Sequence, residues 1–309
     1  MSRRRKLTKK EALTTLLTLI CVLIAGLVAP FLQPEAPLPE NSSFQVHFID
    51  VGQADAALVI CDGDTMLIDG GNVADSDVIY TYLKKHNITH LNYIVSTHPH
   101  EDHVGGLAGA VEYASVGVAY SPVTTFTTSA FNNFKNALYR RGVNLSVPSV
   151  GTRFDLGSAS CQILAINTDT KDTNNTSIVL RIVYGETSFL FTGDAEKEVE
   201  DALIDSDFEL KSTVLKVGHH GSYSSTSYVF LREVMPEYAV IPVGKDNDYG
   251  HPHDIVLSRL RDADVTLYRT DMHGDVICTS DGKAVSFQTA KNPTGNVFGK
   301  IGKNSIGAG

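Results

Sequence analysis

The string His98-Pro99-His100-Glu101-Asp102-His103 is the densest concentration of reactive side chains in the sequence, setting imidazoles beside a carboxylate within about two helical turns of chain. Nitrogen and carboxylate-oxygen donors together suit zinc, manganese or iron rather than calcium, which takes oxygen alone. A carboxylate follows the apolar run before it, in Leu67-Ile68-Asp69-Gly70-Gly71, and another ends Phe191-Thr192-Gly193-Asp194. Further histidines come in pairs, His219-His220 and His251-Pro252-His253. So many like-charged carboxylates converging would repel one another unless cations sat among them. Two divalent ions roughly 3.5–4 Å apart activate a water and stabilise a departing oxygen, so hydrolysis needs no nucleophile from the protein. No GxSxG elbow or reactive-cysteine motif points to a covalent route.

Positioning these residues requires strands that end where they begin. From Phe44 onward, short β-rich runs alternate with amphipathic ones, each switch marked by Gly, Asp or Asn. The pattern predicts strands at 44–50, 56–61, 65–69, 91–97, 116–120, 160–166, 177–184, 187–192, 212–217, 238–243, 265–269, 275–279 and 284–288. It predicts helices at 76–87, 105–114, 129–141, 196–205, 226–235 and 254–262. Sheet packed on sheet with helices outside is the α/β layering that such a succession implies.

The chain has 309 residues, 42% of them hydrophobic, which is enough for a large globular core. Its N-terminus reads differently. Arg3, Arg4, Arg5, Lys6, Lys9 and Lys10 precede an apolar run from Ala12 to Leu32, and a helix needs roughly 20 apolar residues to span a membrane. Residues 1–32 are therefore expected to be a basic cytoplasmic tail and one transmembrane anchor, with the remainder outside the cell. A cleaved signal peptide is the alternative, although Pro30 follows the best small residue for cleavage, Ala29. A Pro-rich linker is expected at 33–43, the catalytic domain at 44–290 and a disordered tail at 291–309. Net charge is −9 even with the basic terminus included, which disfavours a broad nucleic-acid-binding face. Outside the apolar run, Cys61, Cys161 and Cys278 form no CxxC pair and read as buried small hydrophobes.

The HxHxDH string, with Asp69 before it and Asp194 after it, resembles the signature of metallo-β-lactamase-fold hydrolases, and the resemblance extends over nearly all of 44–290. It implies an αββα sandwich, here preceded by one transmembrane helix. Three further strings are similar to the extracytoplasmic domain of ComEC-type DNA-uptake competence proteins and its stand-alone relatives. These are Phe48-Ile49-Asp50-Val51-Gly52-Gln53-Ala54-Asp55, Leu215-Lys216-Val217-Gly218-His219-His220-Gly221-Ser222 and Tyr249-Gly250-His251-Pro252-His253.

By that resemblance, two divalent metal ions, zinc or manganese, are expected. His98 and His100 would hold one, Asp102 and His103 the other, and Asp194 would bridge them. The family usually has a histidine at its third motif, where this chain has Asn174-Asn175-Thr176-Ser177; the ComEC branch shows the same Asn and Ser. His219 would fill that vacancy and His251 would complete the second metal. Asp102, Asp194, His220 and His253 form the expected catalytic group, with His220 or His253 as proton donor. Asp69 would orient a ligand, while Asn174, Ser177 and Ser222 would support the site or face substrate. Asp50, Gln53 and Asp55 either do the same or cap their loop. His47, His86, His90 and His273 read as solvated or locally bonded imidazoles.

The implied reaction is hydrolysis of a phosphodiester, with DNA as the substrate that the resemblance favours. A cell-wall phosphoester, such as phosphorylcholine on teichoic acid, is the second possibility, and a non-catalytic binding module on the same fold is the third. A β-lactam or small thioester is less supported by the loop strings. No protein partner is inferable.

Overall fold

A computed structural model describes residues 43–299. Its larger sheet has eight strands in the order β15-β14-β1-β2-β3-β4-β5-β6. These are β1 (Phe44–Phe48), β2 (Ala57–Cys61), β3 (Asp64–Ile68), β4 (His90–Val95), β5 (Ser115–Tyr120), β6 (Leu145–Ser146), β14 (Val276–Ser280) and β15 (Val285–Thr289). The second sheet runs β13-β12-β11-β10-β9-β8-β7, made of β7 (Arg153–Leu156), β8 (Ala159–Ala165), β9 (Val179–Tyr184), β10 (Thr187–Phe191), β11 (Val214–Lys216), β12 (Tyr238–Ile241) and β13 (Thr266–Arg269).

The period-2 alternation of the strands decides what lies between the sheets. Phe44, Val46 and Phe48 of β1, Met66 and Ile68 of β3, and Phe189 and Phe191 of β10 all point into one inter-sheet core. Each of these buried phenylalanines contributes roughly 1.5–3 kcal/mol relative to an exposed one. Cys61, Cys161 and Cys278 are buried and unpaired in the same core, as expected.

Residues on the opposite faces bury helices. Leu58, Leu67 and Ile94 meet α1 (Ser76–Lys85), α3 (Leu107–Tyr113) and α4 (Ser129–Arg140) in a second cluster. Leu190, Leu215 and Ala239 meet α5 (Lys197–Ile204), α6 (Tyr228–Val234) and α7 (Asp254–Asp262) in a third. Two four-residue helices, α2 (Glu101–Val104) and α8 (Thr270–His273), complete the set. The result is the expected αββα sandwich.

Strands β3, β4 and β5 are mutually parallel, as are β10, β11, β12 and β13. Asp69, His98, Asp194 and His219 therefore all follow the carboxyl ends of parallel strands, the usual place for a binding site in such sheets. Two glycines let the loops there meet: Gly70 N–H donates to His103 O at 2.7 Å, and a Cβ on Gly106 would collide with the Gly70 carbonyl.

Among the described residues no helix is long and apolar enough to cross a membrane; the anchor expected in 1–32 and the linker through 42 lie outside them. Part of the expected disordered tail, 291–299, lies against the domain. Arg269 Nη1 donates to Val297 O at 3.0 Å, and Val297 and Phe298 pack on the third cluster.

Candidate metal centre

The centre is built around Asp194, which follows β10 and is buried. Its backbone N–H donates to Ser177 Oγ at 3.0 Å, fixing the turn. Four imidazoles aim Nε2 at its Oδ2: His103 at 3.2 Å, His219 at 3.7 Å, His220 at 3.7 Å and His98 at 3.9 Å. Each holds its other nitrogen against an outer partner. His103 Nδ1 is 2.8 Å from Asp69 Oδ2, His220 Nδ1 is 3.0 Å from Pro242 O, and His219 Nδ1 is 3.2 Å from Glu196 Oε1. His98 Nδ1 is 3.2 Å from Thr97 Oγ1, whose own hydroxyl donates to Asp69 Oδ2 at 2.6 Å. In each ring's neutral form, an acceptor on Nδ1 leaves the lone pair on Nε2 facing inward, which is how metal-ligating histidines are held.

Local backbone explains the convergence. His100 precedes the first turn of α2, which carries Asp102 and His103, and His100 Nδ1 comes within 3.0 Å of His98 Nε2. Asp69 itself has φ 57, and His219 and His220 have φ 49 and 51. Left-handed backbone is costly for residues with a Cβ, of order 1–3 kcal/mol each, and such strain concentrates at functional sites. Two consecutive left-handed residues bring neighbouring imidazoles to the same carboxylate.

The positions expected from sequence mostly meet here, with one exchange. Asp102, His103, Asp194 and His220 offer ligand atoms within 4.8 Å of one another, and His220 Nε2 is 3.2 Å from Asp102 Oδ2. His220, rather than His251, lies in that group. The His251 ring lies one layer out, with its centroid 5.6 Å from that of His219 and 6.3 Å from that of His220, and Gln53 Nε2 donates to its Nδ1 at 3.4 Å. His253 is further off, its Nδ1 accepting the Tyr223 N–H at 3.1 Å.

Asn174 lines the pocket with Gln53, His100, Glu101, Tyr249 and His251 and donates to Glu196 Oε1 at 3.4 Å. Ser222 accepts the Ser224 N–H at 3.4 Å and supports its own turn. Asp50 stays outside, paired with Lys291 at 3.2 Å. His47 is buried against Tyr82 Oη at 2.9 Å rather than solvated, while His90 bonds Ser115 Oγ at 2.8 Å and His273 bonds Arg269.

Lys216 and Glu196 were not anticipated. Lys216 is buried; its Nζ pairs with Asp55 and donates to Gly193 O at 3.0 Å. A lone lysine interrupting the apolar run Val214-Leu215-Lys216-Val217 was the available signal.

Burial alone would favour neutral groups throughout, yet the charges overrule it for several. It would raise Asp194, but His103 and His220 hold that carboxyl well below its usual range. It would lower His103, but Asp194, Asp69 and Asp102 hold that imidazole well above it. His220, against the same burial, is pushed up to about 10 by Asp194 and Asp55. His98 goes the other way, well below, through burial and the charge on His103.

A divalent metal fits this arrangement. His103 Nε2 and Asp194 Oδ1 are buried and make no hydrogen bond among the described residues, in a cluster whose other donors are imidazole and carboxylate.

The shifts give a pH prediction. Without metal at pH 7, His103 and His220 carry protons that a metal must displace. Metal titrations in buffers of differing ionisation enthalpy are expected to show protons released, with affinity rising as pH rises toward 10. The same raised pKa stabilises the metal-free fold fully below about 6.5, and that contribution fades as pH climbs through about 10. Metal uptake without proton release at pH 7 would contradict the assignment of these imidazoles.

Comparison with known proteins agrees with this geometry. The chain is 33% identical over 255 residues to Competence protein ComA of Neisseria gonorrhoeae, an alignment covering 82% of this chain and 34% of that protein. It is 29% identical over 255 residues to ComE operon protein 3 of Bacillus subtilis (strain 168), covering 76% and 33%. The chain thus spans about a third of the length of these relatives. The crystal structure of the metallo-beta-lactamase fold protein YhfI from Bacillus subtilis superimposes with a TM-score of 0.54 at 11% identity, covering 77% of this chain and 100% of that one, a likeness of fold alone. The family model for the Metallo-beta-lactamase superfamily matches residues 49–245, the span holding Asp69, the 98–103 string, Asp194 and both left-handed histidines, and the chain therefore belongs to that superfamily of metal-dependent hydrolases.

Proposed function

We propose that the domain is a phosphodiesterase acting on a DNA strand outside the cell membrane, with two divalent ions, zinc or manganese. The observation that carries the two-ion reading is the single oxygen Asp194 Oδ2, which two imidazoles of the 98–103 string and two of the His219-His220 turn approach within 3.9 Å. His98, His100 and His219 would hold one ion, Asp102, His103 and His220 the other, and Asp194 would lie between. When bound, such ions supply activation of a water and neutralisation of charge at the scissile group. The protein's own groups do the rest. Gln53 bonds His251 Nδ1, so the neutral ring carries its proton on Nε2. Burial and the nearby His220 lower its pKa to about 4, which keeps it neutral at pH 7. His251 is thus a hydrogen-bond donor at the pocket wall, suited to a phosphoryl or leaving oxygen.

One relative is named a competence protein, which supports DNA as substrate. An extracytoplasmic placement rests on the basic and apolar N-terminal sequence. The acidic net charge favours the second reading, a wall phosphoester. The test is hydrolysis of bis(p-nitrophenyl) phosphate with zinc and with manganese, beside single-stranded DNA and isolated wall polymer in parallel. Metal-dependent turnover of the small diester and of DNA is expected. Cleavage of wall polymer with DNA untouched would move the assignment to a wall esterase. An inactive wild type that binds no metal would make the domain a binding module.

A further inference from the structure

Four rings run in contact from the pocket wall outward. Tyr249 stacks on His251, with centroids 5.6 Å apart and planes at 23°. His251 meets His253 edge-on at 4.9 Å, and His253 meets Tyr223 at 5.1 Å. Both tyrosines are surface residues, 68% and 67% exposed, and among the described residues neither hydroxyl makes a hydrogen bond. Core packing therefore explains neither ring. Tyr249 lines the same pocket as Asp102, Asp194 and His220, so anything cleaved there passes beside it.

On the far side of His251 the surface continues into a cleft of about 610 Å³ whose lining includes Lys245, Arg269 and Lys291. Arg269 and Lys291 are paired with Asp271 and Asp50; Lys245 is exposed and has no ion partner among the described residues. A polyanion leaving the metal pocket along His251 would meet this cation next.

We propose that Tyr249 and Tyr223 are stacking platforms for bases flanking the scissile phosphate, so that the site selects single-stranded nucleic acid. The inference rests on the phosphodiesterase reading and names its substrate. Every base presents a π-face to an exposed ring, which makes stacking indifferent to sequence. In a duplex those faces are already covered by neighbouring base pairs. A polyol phosphate of the wall has no flat ring to offer, so the tyrosines separate the two polymers where the metal centre does not.

The test uses the metal-loaded full chain and fluorescence anisotropy. The probes are a short phosphorothioate oligothymidylate, chosen to slow cleavage, an abasic strand of the same length, and the corresponding duplex. Wild type is expected to bind oligothymidylate at least tenfold more tightly than the abasic strand. Tyr249→Ala and Tyr223→Ala should each weaken oligothymidylate binding by roughly fivefold to a hundredfold. Affinity for the abasic strand should stay unchanged, and Tyr249→Phe and Tyr223→Phe should retain wild-type binding of both. Equal affinity for the two strands, wild-type affinity in both alanine variants, or a preference for duplex would overturn the proposal. Hydrolysis of bis(p-nitrophenyl) phosphate by the same preparation keeps the two readings apart. Turnover without base preference defeats the stacking role alone; base preference without turnover supports stacking and defeats the phosphodiesterase.

Discussion

Asp194→Ala is expected to lose bound metal and turnover together. Its Oδ2 is the atom on which His98, His103, His219 and His220 all converge, between 3.2 and 3.9 Å. Alanine therefore removes a donor common to both halves of the centre, and a proposed pair of ions would lose the charge that lets them sit close together. A metal contributes several kcal/mol to the transition state, so the expected fall in kcat is on the order of a thousandfold or more. His100→Ala gives a gentler version of the same experiment, since it touches one half only and leaves the buried carboxylate in place. Elemental analysis of dialysed protein, alongside hydrolysis of a phosphodiester, reads both effects. Full metal content and turnover in Asp194→Ala would show that the centre lies elsewhere. Thermal melting of the metal-free variants separates loss of a ligand from loss of the fold.

The convergence of the 98–103 string was legible because its members are neighbours in the chain. His98 to His103 occupy one strand end and one helical turn, so their convergence follows from local geometry alone. Asp69 and Asp194 were legible for a related reason, each closing an apolar run that had to be a buried strand. The choice between His220 and His251 was not. Adjacent side chains in ordinary extended or helical backbone point in different directions, so nothing in the His219-His220 pair itself marks both rings as facing one carboxylate. Left-handed φ at both residues defeats that rule, and a non-glycine residue carries no local signal for it.

The missed elements were short or unpatterned. β6 has two residues. β7, Arg-Phe-Asp-Leu, is an edge strand whose polar residues are exposed, and a hairpin to β8 supplies the order that its own pattern does not. α2 was hidden inside the ligand string, where capping and chemistry share the same residues.

Lys216 shows where a pairing across the fold escapes sequence altogether, since its partner Asp55 lies on a loop of the other sheet. Lys216→Met is expected to cost the metal-free protein about 3–5 kcal/mol, because breaking a buried ion pair strands the remaining charge. Two features bear on the size of this cost. Burial would neutralise Lys216, yet Asp55 and Asp194 hold its pKa above the usual lysine value. Asp55 Oδ1 makes no hydrogen bond among the described residues, since His220 Nδ1 bonds Pro242 O; methionine would leave Asp55 with His220 Nδ1, 3.1 Å from its Oδ1, as its nearest remaining charged partner. The ammonium also donates to Gly193 O at 3.0 Å, tying the loop of Asp194 to the loop of Asp55. Urea unfolding under chelator gives the cost free of metal linkage. Asp55→Asn in the same chain removes the stranded charge, so the double variant should be more stable than additivity of the two single changes predicts. A Lys216→Met protein within about 0.5 kcal/mol of wild type, the range of ordinary surface substitutions, would mean that the pair is not what joins these loops. The centre would then depend for its shape on Ser177, Thr97 and the strained histidine turn alone.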